Sequence, residues 1–147
     1  MYKNDYGFII NVLSDTLKKY DLKLQAIGYD RHNADGFLRD LDVFGCPLVD
    51  IVQSARFLND ATLDMQLLIE QEDIEYDRHN ELFVWSIKNA VTITNSFGEI
   101  KIDKENGKRT KRIDPVDACI DAHVIAMKQN GGIDMDASIN KFLEWMG

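Results

Sequence analysis

The spacing of apolar residues in the first third of the chain predicts helices that alternate with strands. Across residues 5–20, apolar side chains recur every three or four positions, which is the period of an amphipathic helix. Residues 22–30 resemble a mostly buried strand, and residues 46–53 resemble a second one. Between these strands, Asn33 is a favourable N-cap for a short helix that ends near Gly45.

The pattern in the middle of the chain predicts two further helices and a hairpin. A helix is expected across residues 59–71. Residues 80–89 favour another helix, although residues 83–85 would tolerate a strand. Residues 91–102 form two alternating runs around Asn-Ser-Phe-Gly, which is typical of a β-hairpin.

Two helices are predicted in the last third of the chain. Asp114 is a favourable N-cap and Pro115 suits the first helical position, so a helix is expected from there to Gln129. A last amphipathic helix is expected across residues 136–146. Because strands alternate with helices, the chain is predicted to be an α/β protein with a partly parallel sheet.

Composition restricts the class of protein. The chain has 147 residues, of which 45% are hydrophobic and 29% charged, and this excludes a disordered chain. No apolar run is long enough to span a membrane, and the polar start is no signal peptide. Cys46 and Cys119 have neither disulfide-framework nor zinc-site spacing, which favours free thiols in a reducing cytoplasm. The net charge of −8 argues against a protein that coats nucleic acid by charge alone.

Asp30 is the first candidate for chemistry. It follows a predicted buried strand, and ligands collect at the carboxyl ends of strands in α/β sheets. A carboxylate there suits Mg²⁺ or Mn²⁺, both of which prefer oxygen ligands. The alternative, which position alone favours, is a loop aspartate that accepts hydrogen bonds from its own backbone.

A cluster of aspartates at the start of the last long helix is the second candidate. Asp117 and Asp121 share one helix face, and Asp114 lies at the positive end of the same helix. Three close carboxylates repel one another, and a divalent cation would relieve that repulsion. A well-capped helix with a solvated acidic face explains Asp114 and Asp117 equally well.

Basic residues are concentrated in one segment. Residues 99–112 carry six cations and three anions, a net of +3, which leaves −11 for the remainder. Cations that hold phosphates beside carboxylates that hold metal would suit cleavage of a nucleic-acid backbone. The alternative is a solvated hairpin end.

The remaining features are weaker. The pentapeptide Tyr-Asp-Arg-His-Asn occurs at residues 29–33 and 76–80, but its flanks differ, so coincidence is favoured over a structural repeat. His32 and His79 are expected to be surface residues, and His123 a core histidine with a satisfied ring. No P-loop, serine-nucleophile elbow or zinc-helix motif is present in the sequence.

Four stretches, taken in order, resemble the nuclease domain of the large subunit of tailed-phage terminases, the DNA-packaging motors. The stretches are AIGYDRHNADGFLRDL, GCPLVDIVQ, ELFVWSIKNAVTITNSFGEIKIDKE and RIDPVDACIDAHVIAM. They match, in order, a "yD" strand end, a "v-x-Q" strand, a "W-x-x-x-N" segment, a "G-x-x-x-x-x-K" hairpin and an "I-D-x-x-x-A" helix start. The resemblance covers roughly residues 5–130.

The resemblance implies an RNase H-like mixed sheet flanked by helices and two-metal cleavage of double-stranded DNA with Mg²⁺ or Mn²⁺. The family's second and third acidic metal ligands correspond to Asp30 and Asp114, with Asp117 as the alternative to Asp114. Lys104 corresponds to the hairpin lysine, and Lys101 and Arg109 are expected near DNA. Trp85 and Asn89 match the "W-x-x-x-N" positions and are expected to be structural or close to DNA.

The chain also departs from the pattern of this family. The family's first acidic ligand lies on a three-strand meander before the first helix, where this chain begins, and the ATPase half has no counterpart in it. We therefore expect a partial nuclease domain at residues 1–132, with an added β-hairpin, and a C-terminal amphipathic helix at residues 133–147. Weak or absent cleavage by this chain alone is expected.

The expected partners are DNA, the terminase ATPase half and other packaging components, in the cytoplasm of a bacterial host and without a membrane. An unpaired edge of the strand that ends at Asp30 predicts self-association. The alternative function is a non-catalytic protein-interaction module that remains from a decayed prophage terminase. A third possibility is an acidic α/β domain whose carboxylates are only helix caps.

Overall fold

The computed structural model describes residues 5–32, 34–130 and 143–146, which fall into two compact units. The first unit is Met1–Ile51 with Ile139–Gly147, and the second is Val52–Ser138. Within the described residues, no helix is long and apolar enough to cross a membrane.

The first unit begins with helix α1, Tyr6–Lys19. Its N-cap is Asp5, whose Oδ1 accepts a hydrogen bond from the Phe8 N–H at 3.0 Å. The Tyr6 ring stacks on the Phe37 ring with centroids 4.7 Å apart. The helix predicted across residues 5–20 is confirmed.

Two short parallel strands follow, β1 (Ile27–Tyr29) and β2 (Leu48–Asp50), with Tyr29 opposite Asp50. Both are shorter than the predicted runs of residues 22–30 and 46–53. The ladder starts where the Ile27 N–H donates to the Pro47 carbonyl, at 2.9 Å. Because proline has no N–H, Pro47 cannot donate the next hydrogen bond of the ladder, and the pairing does not extend to residues before β2.

Between these strands lies helix α2, Asp35–Leu41, with a single 3₁₀ turn over Asp42–Phe44. The chain then turns at Gly45, whose φ of 62° is a left-handed conformation that glycine adopts without strain. The predicted end of this helix near Gly45 is confirmed. The predicted N-cap, Asn33, lies outside the described residues.

The second unit contains helices α3 (Ala55–Glu70), α4 (Glu81–Asn89) and α5 (Asp114–Asn130). Helix α3 begins four residues earlier than predicted, because the Ser54 hydroxyl accepts from the Phe57 N–H at 3.2 Å and caps it there. Helix α4 is capped by Asn80, whose Oδ1 accepts from the Phe83 N–H at 3.1 Å. This settles residues 83–85 as helix.

The predicted hairpin is confirmed as antiparallel strands β3 (Ala90–Thr94) and β4 (Ile100–Lys104). The Asn59 side-chain oxygen of α3 accepts from the Ile100 N–H at 2.9 Å, so α3 is tied to the start of β4. A 3₁₀ turn, Glu105–Gly107, follows the hairpin within the segment predicted to be a loop.

The core of the second unit lies where α3 packs against α5. Apolar residues spaced by three or four positions face each other from the two helices. The buried members are Leu58, Ala61 and Met65 from α3, and Val116, Ile120 and Val124 from α5.

The predicted α/β class is confirmed. The described strands form two separate two-stranded sheets, one parallel and one antiparallel, where one mixed sheet was expected. Of the helix predicted across residues 136–146, only residues 143–146 are described, and these are helical. The remainder of that prediction lies outside the described residues.

Candidate functional site

Asp30 directly follows β1 and is exposed to solvent. Its Oδ1 accepts a hydrogen bond from the His32 N–H at 3.0 Å, which is the local turn that its position alone favoured. The carboxylate therefore lies at the carboxyl end of a parallel strand, and its local turn restricts its orientation.

The second copy of the pentapeptide makes the same turn. Asp77 Oδ1 accepts from the His79 N–H at 2.8 Å, and Asp77 is exposed as well. The turn is thus a property of the Asp-Arg-His sequence. What distinguishes Asp30 is its place at the end of β1, where a second parallel strand ends beside it.

Asp50 is a second aspartate at a strand end, and the sequence did not single it out. It is the last residue of β2, and its Oδ2 lies 2.7 Å from Nη2 of Arg31. The signal that points to it is the same as for Asp30, an aspartate at the carboxyl end of a strand. The predicted strand ran on to Gln53 and concealed that end.

Asp114 is the first residue of α5 and has an exposed side chain, with Oδ2 3.9 Å from Nη1 of Arg112. Its predicted N-cap position is wrong by one residue. The Ile113 carbonyl accepts from the Asp117 N–H at 2.9 Å, so Ile113 holds the cap position. A carboxylate in the first turn is still favoured by the helix dipole.

The third aspartate of the predicted cluster has a different role. Asp121 is buried, and its Oδ1 accepts a hydrogen bond from Nε2 of Gln53 at 3.0 Å. Across the described part of the chain, no group of three or more His, Cys, Asp or Glu side chains is arranged to hold a metal ion. Asp114 is therefore the exposed carboxylate of this helix start, and Asp121 is a structural one.

The "W-x-x-x-N" residues lie on α4. Asn89 is buried, and its Nδ2 donates to the Arg112 carbonyl at 3.0 Å. Trp85 is 40% exposed. Asn89 thus ties the end of α4 to the segment that leads into Asp114, which is a structural role.

The basic residues of the hairpin and the following segment differ in their surroundings. The Lys101 ammonium donates to the Gln53 carbonyl at 3.0 Å, so its position is fixed by the protein. Lys104, the last residue of β4, is half-buried. Lys108 and Arg109 are exposed, whereas Lys111 lies 3.9 Å from Glu105.

The remaining titratable candidates are structural. His123 Nε2 lies 2.7 Å from Asp64 Oδ2 and links α5 to α3, as expected of a satisfied core histidine. Burial raises the pKa of the Cys119 thiol, and burial also raises the pKa of Cys46 against a smaller lowering by a backbone hydrogen bond. Both thiols are free, as predicted.

The comparisons with known proteins agree on one family. A family model described as "Terminase large subunit, endonuclease domain" matches residues 3–130. The chain belongs to this family. The match confirms the resemblance, which was drawn over residues 5–130.

A solved structure gives the same assignment. The chain is similar to the large terminase of bacteriophage HK97, with 25% sequence identity and a TM-score of 0.67. The match covers 82% of this chain and 24% of that one, so the chain spans about a quarter of that terminase's length. The likeness confirms the RNase H-like terminase nuclease fold. No curated protein matches the chain.

Proposed function

We propose that this chain contributes to metal-dependent endonucleolytic cleavage of double-stranded DNA during phage genome packaging, and that cleavage by the chain alone is weak or absent. The observation that carries the proposal is the family match over residues 3–130, in which both predicted ligand positions hold exposed aspartates. Its substrate is then DNA, and its partners are the terminase ATPase half and other packaging components in the cytoplasm of a bacterial host.

The donor chemistry of the two aspartates fits a hard divalent cation. Asp30 and Asp114 offer exposed carboxylate oxygens, the ligands that Mg²⁺ and Mn²⁺ prefer. We assign both as metal ligands, with Asp117 as the alternative to Asp114. When bound, the cation would supply an activated water and stabilise the departing oxygen.

The basic residues are assigned to the DNA backbone. Arg109 is exposed and free to turn toward a phosphate, and Lys104 lies at the end of β4 before the basic segment. Lys101 has a fixed ammonium position, so it would act as a stationary positive charge. Such contacts position a nucleic acid and carry no sequence information.

A plasmid-nicking assay with Mn²⁺ tests this function. Any nicking by the chain is expected to fall sharply in both Asp30→Asn and Asp114→Asn, because each variant removes a charged ligand but keeps the side-chain size. Robust nicking that neither substitution reduces would overturn the assignment.

The chain provides a matched control for the first substitution. Asp77→Asn removes the same charge from the same pentapeptide and the same hydrogen-bonded turn, but not from the end of β1. It is expected to leave nicking unchanged. Equal loss in Asp30→Asn and Asp77→Asn would mean that only net charge matters.

The alternative, a non-catalytic protein-interaction module that remains from a decayed prophage terminase, has two supporting observations. Helix α1 buries none of its residues, and Phe8 and Val12 on it are 65% and 47% exposed. In the described residues, β1 pairs with β2 alone, which leaves its other edge without a partner strand. Sedimentation velocity tests this alternative: a dimer that deletion of residues 133–147 dissociates, with no effect of metal, would favour it.

A further inference from the structure

An ion pair lies at the carboxyl end of the parallel strands, immediately beside Asp30. Arg31 Nη2 and Asp50 Oδ2 are 2.7 Å apart, a short distance that is typical of a charge-assisted hydrogen bond. Tyr29 and Asp50 are opposite each other in the ladder, so the pairing places Asp50 beside the strand end that leads into Arg31.

The two partners are buried to very different extents. The Asp50 side chain is 13% exposed, whereas the Arg31 side chain is 76% exposed. A guanidinium carries five N–H donors in a planar fork, and a contact to one carboxylate oxygen leaves most of them directed elsewhere. Asp50 therefore holds one side of the fork while the rest faces solvent.

We propose that Arg31 binds a phosphate of the DNA backbone and that Asp50 is the positioning residue that holds its guanidinium. The inference rests on the proposed function, because the phosphate belongs to the DNA that a metal ion on Asp30 would contact. An arginine held at one side by a carboxylate is pre-oriented, so it loses less conformational freedom when a phosphate binds. The competing explanation is that Arg31 only neutralises the mostly buried Asp50 carboxylate.

The repeated pentapeptide supplies the control. Arg78 follows Asp77 as Arg31 follows Asp30, and it is exposed. Among the described residues, Arg78 has no carboxylate within ion-pair distance, so it has the same local sequence without the positioning contact.

The test is binding of a short duplex oligonucleotide, measured by fluorescence anisotropy at low ionic strength without divalent metal. Arg31→Gln is expected to weaken binding roughly tenfold, which is the order of one charge-assisted hydrogen bond. It is also expected to lower the slope of log affinity against log salt by about 1. Arg78→Gln removes the same charge and is expected to bind as wild type does. Equal affinities of the two variants, or no duplex binding by the wild type, would overturn the inference.

A double variant separates phosphate binding from simple neutralisation. Arg31→Gln with Asp50→Asn keeps the net charge of −8. It leaves no mostly buried carboxylate without a partner, so this variant is expected to fold even if Arg31→Gln alone does not. The proposal expects it to bind DNA as weakly as Arg31→Gln does. Wild-type affinity in the double variant would show that Arg31 is only a counter-ion.

Asp50→Asn alone tests the positioning role. It removes a negative charge, so general electrostatics predicts tighter DNA binding, whereas loss of the positioning carboxylate predicts binding about threefold weaker. Tighter binding would overturn the role of Asp50.

Failure of this inference and failure of the proposed function are distinguishable. Mn²⁺ affinity, measured without DNA, reports on Asp30 and is expected to be retained or slightly increased in Arg31→Gln, because a neighbouring positive charge is removed. Equal DNA binding by the Arg31→Gln and Arg78→Gln variants, with intact Mn²⁺ binding, would overturn only the phosphate contact. Mn²⁺ binding that does not depend on Asp30 would overturn the metal site instead.

Discussion

Asn89 shows how one buried polar side chain positions a candidate ligand. It is 2% exposed, and its amide donates to the carbonyl of Arg112, two residues before Asp114. The asparagine of the "W-x-x-x-N" motif therefore has a structural role in this chain: it holds the segment that enters α5.

We expect Asn89→Ala to lower the free energy of unfolding by about 1–3 kcal/mol, because it removes a buried hydrogen bond and leaves a carbonyl without its donor. Chemical denaturation measures the loss. Asn89→Asp, which keeps the size but has no amide donor, is expected to be at least as destabilising.

The control for this substitution is Asn11→Ala on the exposed side of α1, which is expected to change stability by less than about 0.5 kcal/mol. If Asn89→Ala were as mild as Asn11→Ala, the hydrogen bond to Arg112 would have no structural importance.

Asp30 and Asp77 mark the limit of what a local pattern can reveal. The residues beside them in the pentapeptide are identical and form the same turn, so nothing within the pentapeptide separates a candidate ligand from a surface residue. The separation comes from the strand that precedes Asp30 and from the partner strand beside it. Asp50 was not predicted as a strand end, because the end of β2 is decided by its pairing with β1 and not by the local sequence.

At the scale of elements, the hairpin turn is held by the side chain of Asn95. Its Oδ1 accepts from the N–H groups of Phe97 and Glu99, at 2.9 and 3.0 Å, and its Nδ2 donates to Glu99 Oε2 at 2.7 Å. Gly98 completes the turn at a φ of 79°, which favours glycine.

We expect Asn95→Ala to destabilise the protein by about 1–2 kcal/mol, because the turn loses all three side-chain hydrogen bonds. Ser96→Ala in the same turn is the matched control and is expected to change stability by less than about 0.5 kcal/mol. Denaturant unfolding compares the two, and equal midpoints would contradict the role given to Asn95.

The elements that were predicted well have local signals. Helix α1 has its cap at Asp5, and the hairpin has its turn at Asn-Ser-Phe-Gly, so periodicity and turn chemistry suffice. Strand lengths were overestimated because pairing decides them, and Pro47 limits that pairing. The start of α3 was missed because the Ser54 cap precedes the first strongly periodic residues.

At the scale of the whole molecule, charge is distributed unevenly along an acidic chain. The net +3 of residues 99–112 contrasts with −11 elsewhere. Binding to DNA is therefore expected to be weak at physiological salt and to depend steeply on ionic strength.

We expect the paired substitution Lys108→Gln with Arg109→Gln to weaken duplex binding more than Lys18→Gln with Lys23→Gln does. Both pairs remove two positive charges from exposed positions, but only the first pair lies in the basic segment. Anisotropy titrations at several salt concentrations measure the difference. Equal weakening by the two pairs would mean that DNA affinity depends only on the net charge of the protein.

The proposal for Asp30 and Asp114 is that each is a divalent-metal ligand. A titration of the chain with Mn²⁺ tests it most directly, because it depends on neither the DNA substrate nor turnover. We expect Asp30→Asn and Asp114→Asn each to weaken Mn²⁺ binding at least about tenfold, and Asp77→Asn to bind Mn²⁺ as the wild type does. Equal Mn²⁺ affinity in the wild type and all three variants would contradict it.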